Sequence, residues 1–371
     1  MTNAPNCQDG GIFPLVDAIG ARSAVHSLAA WPSLLSGIIL PMTTSSVGQT
    51  VTYEGEFDCG VGFVIASSAL GKSFGTVVGG QQITITLPRL GADSQSLIEP
   101  EWAVPPREVG DDIPTWGTIV SSREPHEGQP RKAITALVQS VRIAAEVPNG
   151  EDGTREMKAV VVGLSAWWSA LRDWIEVASD QELNLHTRPW GTGGHGLSMW
   201  ALDDDQYRRH AVVAPQTISV ELPRPQDPEL TSELLQRCMT AAGDERVIPL
   251  AWKMLRDARR FRRSGEYRRA VIDAGTAAEV AMTGRIDGLL SGVPAEVSSA
   301  LLRKYQTLSG RTDLLKRLGG EAPERFQQKL AEPRNDAAHE GSEPSYVDTC
   351  AALEAAADVV SAALPIGDLL P

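Results

Sequence analysis

Cysteine is scarce in this chain, and the four present, Cys7, Cys59, Cys238 and Cys350, are far apart and form no C-x-x-C pair. That spacing argues against zinc frameworks and a disulfide scaffold, and leaves reduced thiols as the default. Positive charge is in deficit too, with 34 Lys and Arg against 47 Asp and Glu, a formal net charge of -13. Generic coating of nucleic acid needs many basic contacts, so the balance argues against it while leaving room for a local basic face. Runs of about 18 apolar residues are missing, so no membrane span is expected. Met1 to Asn6 have neither the basic nor the apolar stretch of a secretory signal, and a cytoplasmic protein is the expectation.

What is present is a soluble, globular balance, 42% hydrophobic and 22% charged over 371 residues, with the length of two domains. Residues 1–45 carry no pattern that types them. From Val51 the period becomes two: Val51, Tyr53, Gly55 and Phe57 alternate with Thr52, Glu54, Glu56 and Asp58, as in a half-buried strand with a bulge at Gly55. Further strand-like runs span Val61 to Ala66, Gln82 to Leu87, Gly117 to Ser121, Ala133 to Val147, Met157 to Gly163, Leu197 to Leu202 and Gln216 to Leu222. Trp167, Leu171, Trp174, Ile175 and Ala178 mark one amphipathic helix over Ser165 to Ala178. Pro223, Pro225 and Pro228 then make a stiff spacer, with Asp227 as an N-cap.

Beyond the spacer the texture is helical, with helices expected at 228–242, 246–263, 266–290, 295–308, 322–332 and 345–363. The predicted fold class is α+β. A β-rich, sandwich- or barrel-like recognition domain with one amphipathic helix (1–222) precedes a linker (223–228) and an all-α bundle (229–371).

Between two of those helices lies Ala331-Glu332-Pro333-Arg334-Asn335-Asp336-Ala337-Ala338-His339-Glu340-Gly341. An arginine can hold a phosphate bidentately, and an imidazole moves protons near neutral pH. Cleavage of RNA by its own 2′-hydroxyl needs both: proton transfer, suited to His339, and positive charge on the crowded phosphate, suited to Arg334. Asn335 would orient the phosphate or the ring. The spacing alone is weak evidence, since Arg188 and His195 repeat it in a loop. On a regular helix, residues five apart point about 140° away from each other. Either the motif lies partly outside a helix, or a second copy supplies the missing half.

Arg334-Asn335-Asp336-Ala337-Ala338-His339 resembles the Arg-x(4–6)-His motif of HEPN-domain endoribonucleases, in which Asn, Asp or His follows the arginine. The stretch from Arg256 to Val271 is similar to that family's paired antiparallel helices, and the resemblance covers about 228–371. It implies a HEPN bundle, a homodimer with one cleft built from two motifs, RNA as substrate, and no metal or cofactor. By analogy such a nuclease, joined to a domain that meets an unknown ligand or protein trigger, suits a toxin or antiviral defence effector. The alternative is a non-catalytic HEPN protein that dimerises or binds a nucleotide or partner.

Between Lys253 and Ile272 eight basic residues face two acidic ones. Arg259, Arg260, Arg262, Arg263, Arg268 and Arg269 would track RNA phosphates beside the cleft, or else pair with acids elsewhere. Gly191-Thr192-Gly193-Gly194-His195-Gly196 spells a dinucleotide fingerprint without the strand-to-helix context that fingerprint needs, and reads as a loop. Trp167, Trp168 and Trp174 read as core, and Asp203 to Asp205 as a solvated turn.

Overall fold

The computed structural model of the chain describes residues 50–92, 96–102, 116–123, 132–183, 196–202, 208–214 and 229–371, with backbone alone for 196–202 and 208–214. The Arg188 and His195 pair, the glycine-rich loop up to His195, Asp203 to Asp205, the strand expected at Gln216 to Leu222 and the 223–228 spacer lie outside the described residues. An antiparallel sheet followed by a helical region makes this an α+β protein.

Two 17-residue strands, β1 (Thr50–Ala66) and β7 (Lys132–Pro148), form the spine of the sheet. The far edge of β7 pairs with β3 (Gln81–Thr86) along one half and with β6 (Gly117–Arg123) along the other. β3 carries β2 (Ser73–Val78), and the far edge of β1 carries β8 (Gly196–Leu202) and then β9 (Arg208–Ala214). A ribbon of β4 (Arg89–Leu90) and β5 (Leu97–Ile98) stands apart.

A long helix, α1 (Glu151–Ser179), rather than a second sheet, packs against the apolar residues of this sheet. Phe57 and Phe63 meet the Trp168 ring at centroid distances of 5.8 and 6.1 Å. The strand expected at Met157 to Gly163 is part of α1. Its β-branched run suggests a strand, yet Met157, Val160, Leu164 and Trp167 are buried at helical spacing while Val162 is exposed. Trp167, Trp168 and Trp174 are all core residues. Gly153 sits in the first turn of α1, where a Cβ would stand 1.7 Å from the Pro148 carbonyl oxygen.

β1 departs from a half-buried strand in two ways. Its polar side is also covered, so Glu54 and Glu56 are buried with Arg142 and Ser140 of β7 beside them. Gly55 pairs regularly on both edges, and the register slips further on, between Asp58 and Phe63.

The helical region comprises α2 (Ser232–Gly243), α3 (Leu250–Arg263), α4 (Tyr267–Leu289), α5 (Ala295–Lys304), α6 (Leu308–Arg317), α7 (Glu332–Asn335), α8 (Tyr346–Ala363) and α9 (Ile366–Leu369). Thr231, Thr307 and Ser345 cap α2, α6 and α8 through their side-chain oxygens. The helix expected over 295–308 ends at Lys304, and α6, which starts after its Thr307 cap and runs to Arg317, is a helix the sequence reading did not include. At the centre runs α4, whose stripe of Ala270, Ala274, Ala277, Ala278 and Ala281 lets α3 and α8 approach closely.

Leu230 stitches this region to the sheet, its N–H bonding Val64 O at 3.1 Å and its carbonyl accepting from Ala66 N at 2.9 Å. A buried relay adds to the join: Trp167 Nε1 donates to Thr76 Oγ1 at 3.1 Å, and that hydroxyl donates to Met239 O at 2.8 Å. Among the described residues no helix is long and apolar enough to cross a membrane.

Candidate functional site

The Arg334 to His339 stretch was expected in a connection between helices; it is helical throughout. The four α-helical residues of α7 are flanked by two wider π turns, Gln327–Ala331 and Asp336–Glu340. Glu332 donates its N–H to Gln327 O and Gly341 donates to Asp336 O, each five residues back. The first wide turn explains how Pro333 sits inside a helix, because the clash of its ring with a carbonyl four residues back is relieved. Gly341, at φ +72°, ends the run as a left-handed cap. Wide turns of this kind are rare and recur at functional sites. They also remove the premise that Arg334 and His339 diverge as on a regular helix.

Arg334 lies across α4 at Gly275, where a Cβ would come within 2.6 Å of the arginine Cγ. Its Nη1 donates to Asn335 Oδ1 at 3.3 Å, while its Nε is shielded from solvent and makes no hydrogen bond. Among the described residues it pairs with neither Glu332 nor Glu340. Asn335 and His339 are exposed on the same turn. The Arg268 Nε, from the first turn of α4, donates to Ala337 O at 2.8 Å. Glu332, Asp336, Glu340 and Glu343 are exposed around the turn and oppose an approaching anion. Chemically the turn offers a guanidinium anchored along its stem, an amide beside it and a solvent-facing imidazole.

The basic stretch divides. Arg256 of α3 pairs with Asp173 at 2.9 Å, Asp257 at 3.1 Å and Glu176 at 3.7 Å. Arg260 reaches Glu176 at 3.6 Å, and Arg259 and Arg263 reach Asp180 at 3.3 and 2.9 Å. Arg263 also donates to the Asp180 carbonyl. Arg256, Arg259, Arg260 and Arg263 thus form a seam with the C-terminal end of α1. Burial raises the Glu176 carboxyl above its ordinary value despite two arginines, and lowers the Arg259 guanidinium. Arg262 points to Cys350 Sγ at 3.9 Å, and exposed Arg269 pairs with Glu266 at 2.7 Å over the Phe261 ring. Of the six arginines assigned to RNA, then, Arg259, Arg260 and Arg263 face acids at the end of α1, Arg262 points to Cys350, Arg269 pairs with Glu266, and Arg268 alone reaches the motif turn.

Gly275, Arg268 as a carbonyl donor, and Glu343 are absent from the sequence-based site. Gly275 left a signal: glycine in a helix interior costs about 1 kcal/mol against alanine, and here it interrupts an alanine-rich stripe. Glu279 of α4 is taken up by Arg311 at 3.4 Å. No group of three or more metal-ligating side chains occurs among the described residues. No protein-family model, curated protein or solved structure matches the chain.

Proposed function

We propose that the chain is a metal-independent HEPN-type endoribonuclease whose site is built from the Arg334–Asn335…His339 turns of two copies, and that the sheet region controls it as part of a toxin or antiviral defence effector. The observation that carries this reading is the turn itself. Arg334 is seated on a glycine notch without an ion-pair partner among the described residues, and an exposed imidazole stands on the widened turn that follows it.

In the reaction one imidazole takes the proton of the RNA 2′-hydroxyl, whose oxygen attacks the adjacent phosphorus. The 5′-oxygen leaves with a proton from a second, protonated imidazole. Each copy has one His339, so pairing two copies supplies both the base and the acid. Arg334 offsets the charge that grows on the non-bridging oxygens, a contribution of roughly 3–4 kcal/mol for a preorganised donor. An apolar pair at the start of α8, Tyr346 at 56% and Val347 at 73% exposure, suits a twofold contact close by, since Tyr346 meets Tyr267 at the head of α4.

A second reading, a HEPN-like module that binds a partner without catalysis, draws on the four carboxylates around the turn. RNA cleavage in EDTA separates the two. The nuclease reading predicts cleavage by the wild type and a loss of about 10²–10⁴-fold in His339→Ala at unchanged thermal stability. Cleavage that needs a divalent ion, or that the substitution leaves at the wild-type rate, contradicts it.

A further inference from the structure

The motif turn touches α4 at two places on one face. Arg334 rests on Gly275, and Ala337 O accepts from Arg268, seven residues earlier on α4 and about 10 Å away at 1.5 Å per residue. The second contact answers a local need. A helix end leaves carbonyls without donors. Gly341 and Ser342 both give their N–H groups to Asp336 O, the latter at 3.2 Å, so Ala337 O takes its hydrogen bond from the Arg268 guanidinium instead. The exchange is reciprocal: Glu343, just past the turn, accepts the backbone N–H of Arg268 at 3.4 Å, one of the free donors in the first turn of α4. A cation thus sits at the C-terminal end of one helix and a carboxylate at the N-terminal end of the other, both favoured by the helix dipoles.

We propose that Arg268 is a positioning residue, not an RNA contact: with Glu343 it clamps the motif turn to α4 and fixes where His339 stands relative to Arg334. This role in catalysis rests on the nuclease reading; the clamp itself does not.

Deuterium uptake by backbone amides of 336–342 in the full-length protein, measured beside cleavage kinetics, tests both. In Arg268→Ala the exchange is expected to rise about tenfold, as for a lost helix cap, with kcat down and KM within about twofold. Arg268→Lys, which keeps a donor for Ala337 O, is expected to recover part of both. Glu343→Gln, which retains an acceptor, gives a smaller rise. Unchanged exchange in Arg268→Ala overturns the clamp whatever happens to cleavage. Faster exchange with KM raised and kcat kept makes Arg268 an RNA contact and overturns the positioning role. If the wild type cleaves no RNA, the nuclease reading falls together with the catalytic role of Arg268, and the exchange data alone then decide whether the clamp exists.

Discussion

Two groups of arginines, drawn from adjacent stretches of chain, meet opposite fates. Arg256, Arg259, Arg260 and Arg263 of α3 are matched by Asp173, Glu176 and Asp180 at the end of α1, a seam in which the Glu176 side chain is only 2% exposed. Those at the motif turn, Arg268 and Arg334, spend their hydrogen bonds on a carbonyl and a neighbouring amide, and among the described residues no ion pair involves the Arg334 guanidinium. The difference teaches that a run of basic residues is not a basic surface. An acid within reach and shielded from water turns an arginine into part of the fold. An arginine held by its stem and left without an acid remains available to a ligand.

The contrast is broken most directly at the turn. His339→Ala should lower RNA cleavage by about 10²–10⁴-fold, the usual worth of a proton-transfer group, without shifting the denaturation midpoint. At the seam the effect should be on stability instead. Arg256→Ala leaves Glu176 buried with only Arg260 nearby, and should cost about 3 kcal/mol in urea denaturation, with partial recovery in the double variant carrying Glu176→Gln.

A carboxylate outside the seam sharpens the point. Burial, with Asp58 and Glu99 nearby, pushes the Glu56 carboxyl up to about 7, against the lowering effect of a Ser140 hydrogen bond. Its folded-state value therefore exceeds its unfolded one, so the folded state holds the proton longer. Stability should fall as pH rises from about 4.5 to about 7, by roughly 3 kcal/mol in all, and Glu56→Gln should flatten that slope. Denaturation midpoints at pH 5 and pH 8 measure it.

Gly275→Ala is a subtler probe. The new methyl would stand 2.6 Å from the Arg334 Cγ, close to the arginine's backbone, so the turn must shift: cleavage should drop about tenfold and overpacking should cost about 1–3 kcal/mol of stability, more than helix propensity returns. The smallest effect is expected at Arg269, exposed and held by Glu266 and the Phe261 ring: Arg269→Ala should change stability by less than about 1 kcal/mol.

Much of this fold was legible because its signal is local. The alanine stripe of α4 and the alternation of β1 both arise from residues a few positions apart, and both elements form where expected. Met157 to Gly163 misled because a β-branched run looks the same whether a sheet or a helix buries it; the tryptophans that follow settle the matter only once the helix is extended backwards. The seam was invisible for another reason: Arg256 and Glu176 are eighty residues apart, and nothing local announces their meeting. At the turn the residue types were legible and the geometry was not, since the π turns around Pro333 depend on how the segment lies along α4.

Arg334 and His339 are proposed to act on one RNA phosphodiester. The most direct measurement is the chemistry of the ends left on an RNA cut in EDTA. A 2′,3′-cyclic phosphate facing a 5′-hydroxyl is the predicted result, with no cut where the attacking 2′-hydroxyl is replaced by hydrogen. A 3′-hydroxyl facing a 5′-phosphate, or cutting at the deoxy position, would contradict it.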